Sequence, residues 1–413
     1  VVGWSLPARA APARLGPLVP FFCLAVTFGT TLGFLASGAP LILRVRGIEL
    51  AQVGLLQLIN LPVGLTFLWA VVVDRVRLPG LPHRIGWIAV MQAAGIALLV
   101  LLSAGERWPL SALFGLAVAT SLCVATMDVA LEALVVETVP AQSRTDVAAA
   151  KFCGASLGGI LGAGVLVARY DVLGWHAALL VVAGLNLACL LPVLRYPEAR
   201  LRRARPADSA APGTARFGRL RALASRIAVL GGYFAALSLL GGFNNLALLD
   251  LGLPLAQVGL VTGTASPLIG LVMAALSGAL VRRFGTVPLI TVSAIGAAAA
   301  GGAMAAASLA GSVPLAVAAT LFGLVCGGGL GVPVFAMIYR WAQGPLPATD
   351  YALLFGAAFF AAMPVRVAAP ALAGALGWPA YFVVAVVAYA LAFAVLRRAI
   401  ARTLAADRKA GAA

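Results

Sequence analysis

The chain has 413 residues, of which 62% are hydrophobic and 10% charged, and its mean hydropathy is +1.05. A soluble domain carries roughly 25% charged residues because its outer surface must face water, so a large soluble core is excluded and a membrane protein is expected. The formal charge of +16 would suit nucleic acid in a soluble protein, but the basic residues sit in short segments between apolar runs, where membrane topology and anionic lipid head groups account for them, and no nucleic-acid partner is expected.

Runs long enough to cross a bilayer, at about 20 residues per crossing, occur at 18–43, 52–73, 85–105, 109–135, 150–169 and 174–194. They resume after an Arg-rich break at 227–250, 257–281, 286–310, 314–339, 351–375 and 377–396. The first run follows Arg9 and Arg14 and exceeds the about 7–15 residues of a signal-peptide core, so it is read as an uncleaved first span despite the small residues Ala36–Ala39. The expected fold is an all-α membrane protein with twelve transmembrane helices in two related bundles of six. Residues 1–194 would form the first bundle, 195–226 a basic cytoplasmic linker rich in Pro, Gly, Ser and Arg, and 227–413 the second bundle with a short basic tail.

With an even number of crossings both termini share one side. Placing them in the cytoplasm puts 24 of the 29 Lys and Arg on that side and leaves four, Arg44, Arg46, Arg107 and Arg169, on the other. The remaining one, Arg366, lies inside a span. An internal repeat supports the two halves. Leu-Ala-Gln-Val-Gly-Leu occurs at Leu50–Leu55 and again at Leu255–Leu260, and Pro62 and Pro267 match at the same offset.

Charged residues within or beside the spans are the candidates for function, because lipid tolerates them only in a cavity or a pair. Asp74 ends the second span, with Arg75, Arg77 and Arg84 following, and a carboxylate among arginines there suits a latch or a plain topology marker. Asp128 and Glu132 stand one helical turn apart in the fourth span, placed for proton coupling or gating, or for a structural pair with Arg144 or Lys151. Glu137, nearer the loop, is expected as a solvated end charge, and so is Asp250 at the outer end of the seventh span. Arg366, between Pro364 and Pro370, needs an acidic partner or an anionic substrate. Gln57, Asn60, Phe243, Asn244 and Asn245 are candidate cavity-lining groups, against interhelical hydrogen bonding as the plainer role.

Enzyme chemistry has little to stand on. The chain contains no G-x-x-x-x-G-K-[ST] motif for ATP and no Ser/His/Asp constellation. The run Gly327–Gly331 lies in an apolar span without Lys and reads as close helix packing. Cys23, Cys123, Cys153, Cys189 and Cys326 read as small buried hydrophobes, and His83 and His176 fall at loops or helix ends, so neither a metal site nor a cofactor is expected.

Two stretches carry a family resemblance. Phe67-Leu68-Trp69-Ala70, Asp74-Arg75, Leu78-Pro79, Arg84-Ile85-Gly86-Trp87 and Gln92 resemble the F-L-W-x-P-x-x-D-R…R-R-G-W…Q signature of the muropeptide permease and acetyl-CoA transporter branch of the major facilitators, with Val71 or Val72 where Pro is usual. Ala125–Ala133, with Glu137, Gly154, Gly158 and Gly174-Trp175, is similar to that branch's A-T-Q-D-x-A-x-D-A…E…G…G…G-W run, with Met127 for Gln and Glu132 for Asp. The likeness covers about residues 50–190. It implies the major-facilitator fold, whose members include proton-driven importers of anhydro-muropeptides, acetyl-CoA carriers and shorter permeases for siderophores such as rhizobactin and pyochelin. Twelve spans without further C-terminal helices favour the siderophore type.

The expected protein is therefore a secondary active transporter of the inner membrane, a proton-coupled importer of a small organic solute that rocks one half against the other. The alternatives are a muropeptide or peptide-conjugate permease and, in a different class, a non-transporting assembly factor or sensor. Its expected partners are membrane lipid and a ferric siderophore or anionic conjugate, and a monomer is expected.

Overall fold

The computed structural model describes residues 18–139, 144–201, 216–341 and 347–411. Arg9, Arg14 and residues 202–215 of the expected linker lie outside the described residues. No strand occurs among the described residues, and eleven helices are long and apolar enough to cross a bilayer. Lipid offers backbone groups no hydrogen-bond partner, so each crossing satisfies its own along the helix.

We number the crossings in chain order. Span 1 is Val19–Val45, span 2 the shorter apolar helix Leu50–Leu65, span 3 His83–Ser103, span 4 Leu110–Val135, span 5 Ala149–Ala168 and span 6 Tyr170–Leu194. Span 7 is Leu223–Asp250, span 8 Leu255–Met273, span 9 Thr286–Ala310, span 10 Val313–Ile338, span 11 Leu353–Leu376 and span 12 Trp378–Ala406.

Span 2 departs from the single helix expected over 52–73. It runs as α-helix over Leu50–Leu55, as a tighter 3-10 turn over Leu56–Asn60, and as α-helix again over Leu61–Leu65, before a second 3-10 turn and the short helix Ala70–Arg75. Pro62 is the local reason. It has no N–H for the carbonyl four residues earlier, and its ring crowds that carbonyl, so the preceding turn tightens.

The two halves pack by one scheme. In the first half spans 1 and 5, 3 and 4, 3 and 6, and 1 and 6 lie against each other; in the second half the matching pairs 7 and 11, 9 and 10, 9 and 12, and 7 and 12 do the same. The halves meet where span 2 crosses span 11 and span 5 crosses span 8. The repeated hexapeptide supplies one glycine to each crossing. A side chain on Gly54 would collide with the Val367 carbonyl of span 11, and one on Gly259 would come within 3.0 Å of the Gly164 carbonyl of span 5. Backbone approach this close excludes a side chain at Gly54 and strongly favours glycine at Gly259.

Spans 1, 5 and 8 each contain a π-helical stretch, Gly33–Gly38, Ile160–Val165 and Gly259–Thr264, and the three stretches touch one another. Such insertions widen a helix locally and recur at functional places.

The buried apolar residues show how the halves are disposed. One cluster, including Phe34, Leu56, Trp175, Leu246, Val258, Ala373 and Phe382, draws on both halves at the end that carries Arg44 and Asp250. At the Arg-rich end the cores are separate, one built around Phe21, Ile88 and Leu131 and the other around Leu230, Ile338 and Leu396. The molecule is joined at one end and parted at the other.

Candidate functional site

Between the halves lies a cavity of about 340 Å³, walled by spans 1, 2, 7 and 11. Its polar groups are Ser37, Gln57, Asn60, Asn245 and Arg366, and Phe243 is also in the wall. Five of the candidates named from sequence thus stand around one space. Asn244, next in the chain to two of them, faces a second cavity of about 430 Å³ inside the second half, whose wall also includes Arg366. The turn at Gly242-Phe243 breaks span 7 here and sends the two asparagines to different spaces.

Arg366 sits midway along span 11. Pro370 lacks the N–H that would bond the Arg366 carbonyl, and Pro364 withdraws another bond one turn earlier, so the backbone around the cation is loosened. Its guanidinium donates to Gln57 Oε1 at 3.4 Å, from the other half, and lies 5.2 Å from the ring centre of Phe359. No ion pair to Arg366 exists among the described residues. A permanent cation held by a long amide contact and an aromatic face keeps most of its five donors for something else.

The pair Asp128 and Glu132 is elsewhere. Lys151 of span 5 reaches both, at 3.5 Å from Asp128 Oδ1 and in close contact with Glu132. Of the three side chains the lysine is the least exposed, at 17% against 36% and 61% for the acids. One cation is shared by two carboxyl groups.

Asp74 belongs to a third group, at the Arg-rich end. Its carboxylate meets Arg84 Nη2 at 2.8 Å, while Arg75 next to it is exposed. Arg84 is 2% exposed and also donates Nη2 to Glu137 Oε1 at 2.6 Å, Nε to the same oxygen at 3.1 Å, and Nη1 to the Val73 carbonyl at 3.2 Å. Glu137 was expected to be a solvated end charge; its side chain is 11% exposed and drawn into this network instead. All these partners lie in the first half. Trp69 and Thr126, from the two stretches that carry the family resemblance, are hydrogen-bonded at 3.1 Å, so those stretches form one folded unit.

Glu198 is the member that sequence reasoning missed. It lies in a short helix, Glu198–Leu201, and both its oxygens accept backbone N–H groups at the start of span 3, from Arg84 at 2.9 and 3.1 Å and from Ile85 at 2.9 Å. The residue before span 3 is Pro82, which offers no capping side chain, so an anion is brought from 114 residues away to the positive end of that span. The adjoining Tyr196 hydroxyl lies 2.9 Å from Thr138 Oγ1.

At the opposite end Asp250, expected as solvated, joins the halves. Arg44 donates Nε and Nη2 to its two oxygens at 2.9 and 3.2 Å, and Trp378 Nε1 donates to one of them at 3.0 Å. The sequence signal for this pair is slight, since 206 residues separate the partners.

Among the described residues no group of three His, Cys, Asp or Glu is placed to hold a metal. Of the five cysteines only Cys189 and Cys326 are buried, and Cys153 is exposed on its span, which corrects the reading of all five as buried packing residues. The bare helix exterior that lipid covers is open to cysteine as to other apolar side chains.

The chain is 28% identical over 397 residues to the anhydromuropeptide permease of Escherichia coli (strain K12), covering 86% of this chain and 76% of that protein. Its fold is similar to that of a POT family transporter in complex with 5-aminolevulinic acid, with a TM-score of 0.68 at 11% identity over 92% of this chain and 94% of the other. A D-xylose-proton symporter aligns with a TM-score of 0.64 at 13% identity over 92% and 95% of the two chains. The pattern of the Major Facilitator Superfamily matches residues 21–322, and with paired six-span halves around a central cavity this chain belongs to that superfamily of multi-pass membrane transporters.

Proposed function

We propose that the chain is a proton-coupled inner-membrane importer of a muropeptide-like or related conjugate, and that Arg366 receives a carboxylate of the solute. The observation that carries this reading is a cation without an ion pair among the described residues, in the wall of a cavity between the halves. An anionic group there would complete the hydrogen bonding of the guanidinium in a space of low dielectric. The relative matched over most of the chain is a permease for anhydromuropeptides, which favours that class; the siderophore preference rested on the number of spans and finds no support among the relatives.

Transport would proceed by rocking of residues 1–194 against 227–413 about the crossings of spans 2 with 11 and 5 with 8, with 195–226 as the linker. The excess of Lys and Arg at the parted end supports placing this end, and both termini, in the cytoplasm, which would make the arrangement inward-open. Asp128, Glu132 and Lys151 are the candidates for proton coupling or gating, and Asp74 with Arg84 for the cytoplasmic latch. Arg75 would serve topology.

Proteoliposomes with an imposed pH gradient test the reading. Labelled anhydromuropeptide should accumulate, Arg366→Gln should abolish accumulation, and the double variant Asp128→Asn/Glu132→Gln should uncouple it from the gradient. Uptake undiminished by Arg366→Gln removes the substrate contact, and uptake undiminished by the double variant removes the coupling assignment. Absence of any solute-dependent flux would favour an assembly factor or sensor.

A further inference from the structure

The second cavity differs in chemistry from the first. It is lined wholly by the second half and shares Gly242 and Arg366 with the central space. Beyond Asn244, Ser266 and the arginine its walls are largely apolar, with Leu240, Ala297, Ala300 and Met304 prominent, and the Ser238 hydroxyl is already spent on the Phe234 carbonyl at 2.8 Å. At about 430 Å³ it has the size of a ligand site rather than a packing defect.

The glycines in its wall indicate that the space is meant to stay open. The run at Gly327–Gly331 was expected to serve close helix packing, and Gly328 and Gly329 do, since a methyl there would strike Met273 at 2.7 Å and Ser293 at 2.6 Å. Gly327 does not. A methyl built on it, or on Gly270 of span 8, meets nothing within 4 Å, although a larger residue would be a better helix former at either place. Both positions line the recess.

We infer that this recess is a second subsite of the transport site, and that it receives an uncharged, mainly apolar group, alkyl or ring, of the same molecule whose carboxylate lies on Arg366. The inference rests on the proposed anion contact of that arginine. A cation at the mouth and apolar walls behind it are complementary to an amphipathic organic anion, and a solute filling both spaces bridges spans 1 and 2 of one half to spans 8, 9 and 10 of the other. Apolar burial in the recess then adds selectivity that the arginine alone lacks, since a cation receives any carboxylate of suitable reach.

The test uses the full chain in lipid nanodiscs and a series of N-acyl-alanines, from butanoyl to octanoyl, titrated calorimetrically. Each added methylene should tighten binding by about three- to fourfold. Gly270→Leu and Gly327→Leu should flatten that gain, and Gly327→Ala, a single methyl, should give an intermediate slope should either leucine variant fold poorly. Partition of longer tails into the lipid is common to all variants and cancels in the comparison. Equal gains in native and leucine variants, or no gain in the native chain, would overturn the inference. So would a phospholipid retained in native mass spectra of the wild-type chain and lost from both leucine variants, since a lipid tail would then be the occupant. N-acyl-alaninamides separate the two readings. If they bind as tightly as the acids with the slope intact, the anion contact fails and the recess stands; a flat slope with the acids still preferred sinks the recess alone.

Discussion

Arg84 is the position at which the structure makes its most demanding statement about stability. Its guanidinium is 2% exposed and holds Glu137, 11% exposed, by two donors, whereas Asp74, 40% exposed, takes one. Arg84→Met removes a buried cation together with its donors to Glu137, Asp74 and the Val73 carbonyl, a change that costs on the order of 3–5 kcal/mol. Glu137→Gln removes a charged hydrogen-bond partner but leaves Asp74 to neutralise the arginine, at about 1.5–3 kcal/mol. Asp74→Asn acts on a water-screened pair and should cost about 1 kcal/mol or less. The double variant Arg84→Met/Glu137→Met replaces the pair by apolar side chains of similar bulk and should recover most of the Arg84→Met loss. Thermal unfolding midpoints of the detergent-solubilised variants give the ranking directly. An Asp74→Asn loss as large as that of Arg84→Met, or a double variant no more stable than Arg84→Met, would refute the distinction between buried and screened partners.

Three further outcomes are expected. Gly263→Val in span 8 would drive a side chain into the Ala163 backbone of span 5, so uptake should be lost while the protein still reaches the membrane, whereas Gly184→Ala, facing open space in span 6, should leave uptake as it is; equal uptake in the two variants would contradict the crossing. Asp250→Asn weakens a half-screened bridge worth about 1 kcal/mol and should raise the population open at that end by about fivefold; distances between spin labels on spans 1 and 7 read the change, and an unaltered distribution would contradict it. Glu198→Gln removes the anion at the start of span 3, so hydrogen exchange at the Arg84 and Ile85 amides should quicken, and unchanged protection would deny Glu198 that role.

Much of the architecture is legible in the sequence because it depends on local composition. Apolar length marks the crossings, and a polar or charged side chain within such a length marks a place that must face a cavity or a partner; that logic points to Gln57, Asn60, Asn245 and Arg366, which share one cavity. Partner identity is not local. Glu137 and Asp250 looked like ordinary end charges because Arg84 and Arg44 are brought to them by packing of distant spans. Glu198 sits in a linker whose composition is dominated by Arg, Pro and small residues, and its target is a pair of backbone amides that no side-chain pattern reveals. The glycine run at Gly327 shows the converse difficulty, since the same residue type serves contact at one position and emptiness at the next.

The repeated hexapeptide has a mechanical corollary. At both crossings the closest approach is to the main chain, and the nearest side-chain atoms, Pro370 Cδ at Gly54 and Val167 Cβ at Gly259, are fixed to the backbone and do not move with a rotamer. Such joints behave as plain bearings, which turn without a rotamer having to change. Resistance to motion must then come from the rims, and the Arg44–Asp250–Trp378 cluster is where the structure supplies friction.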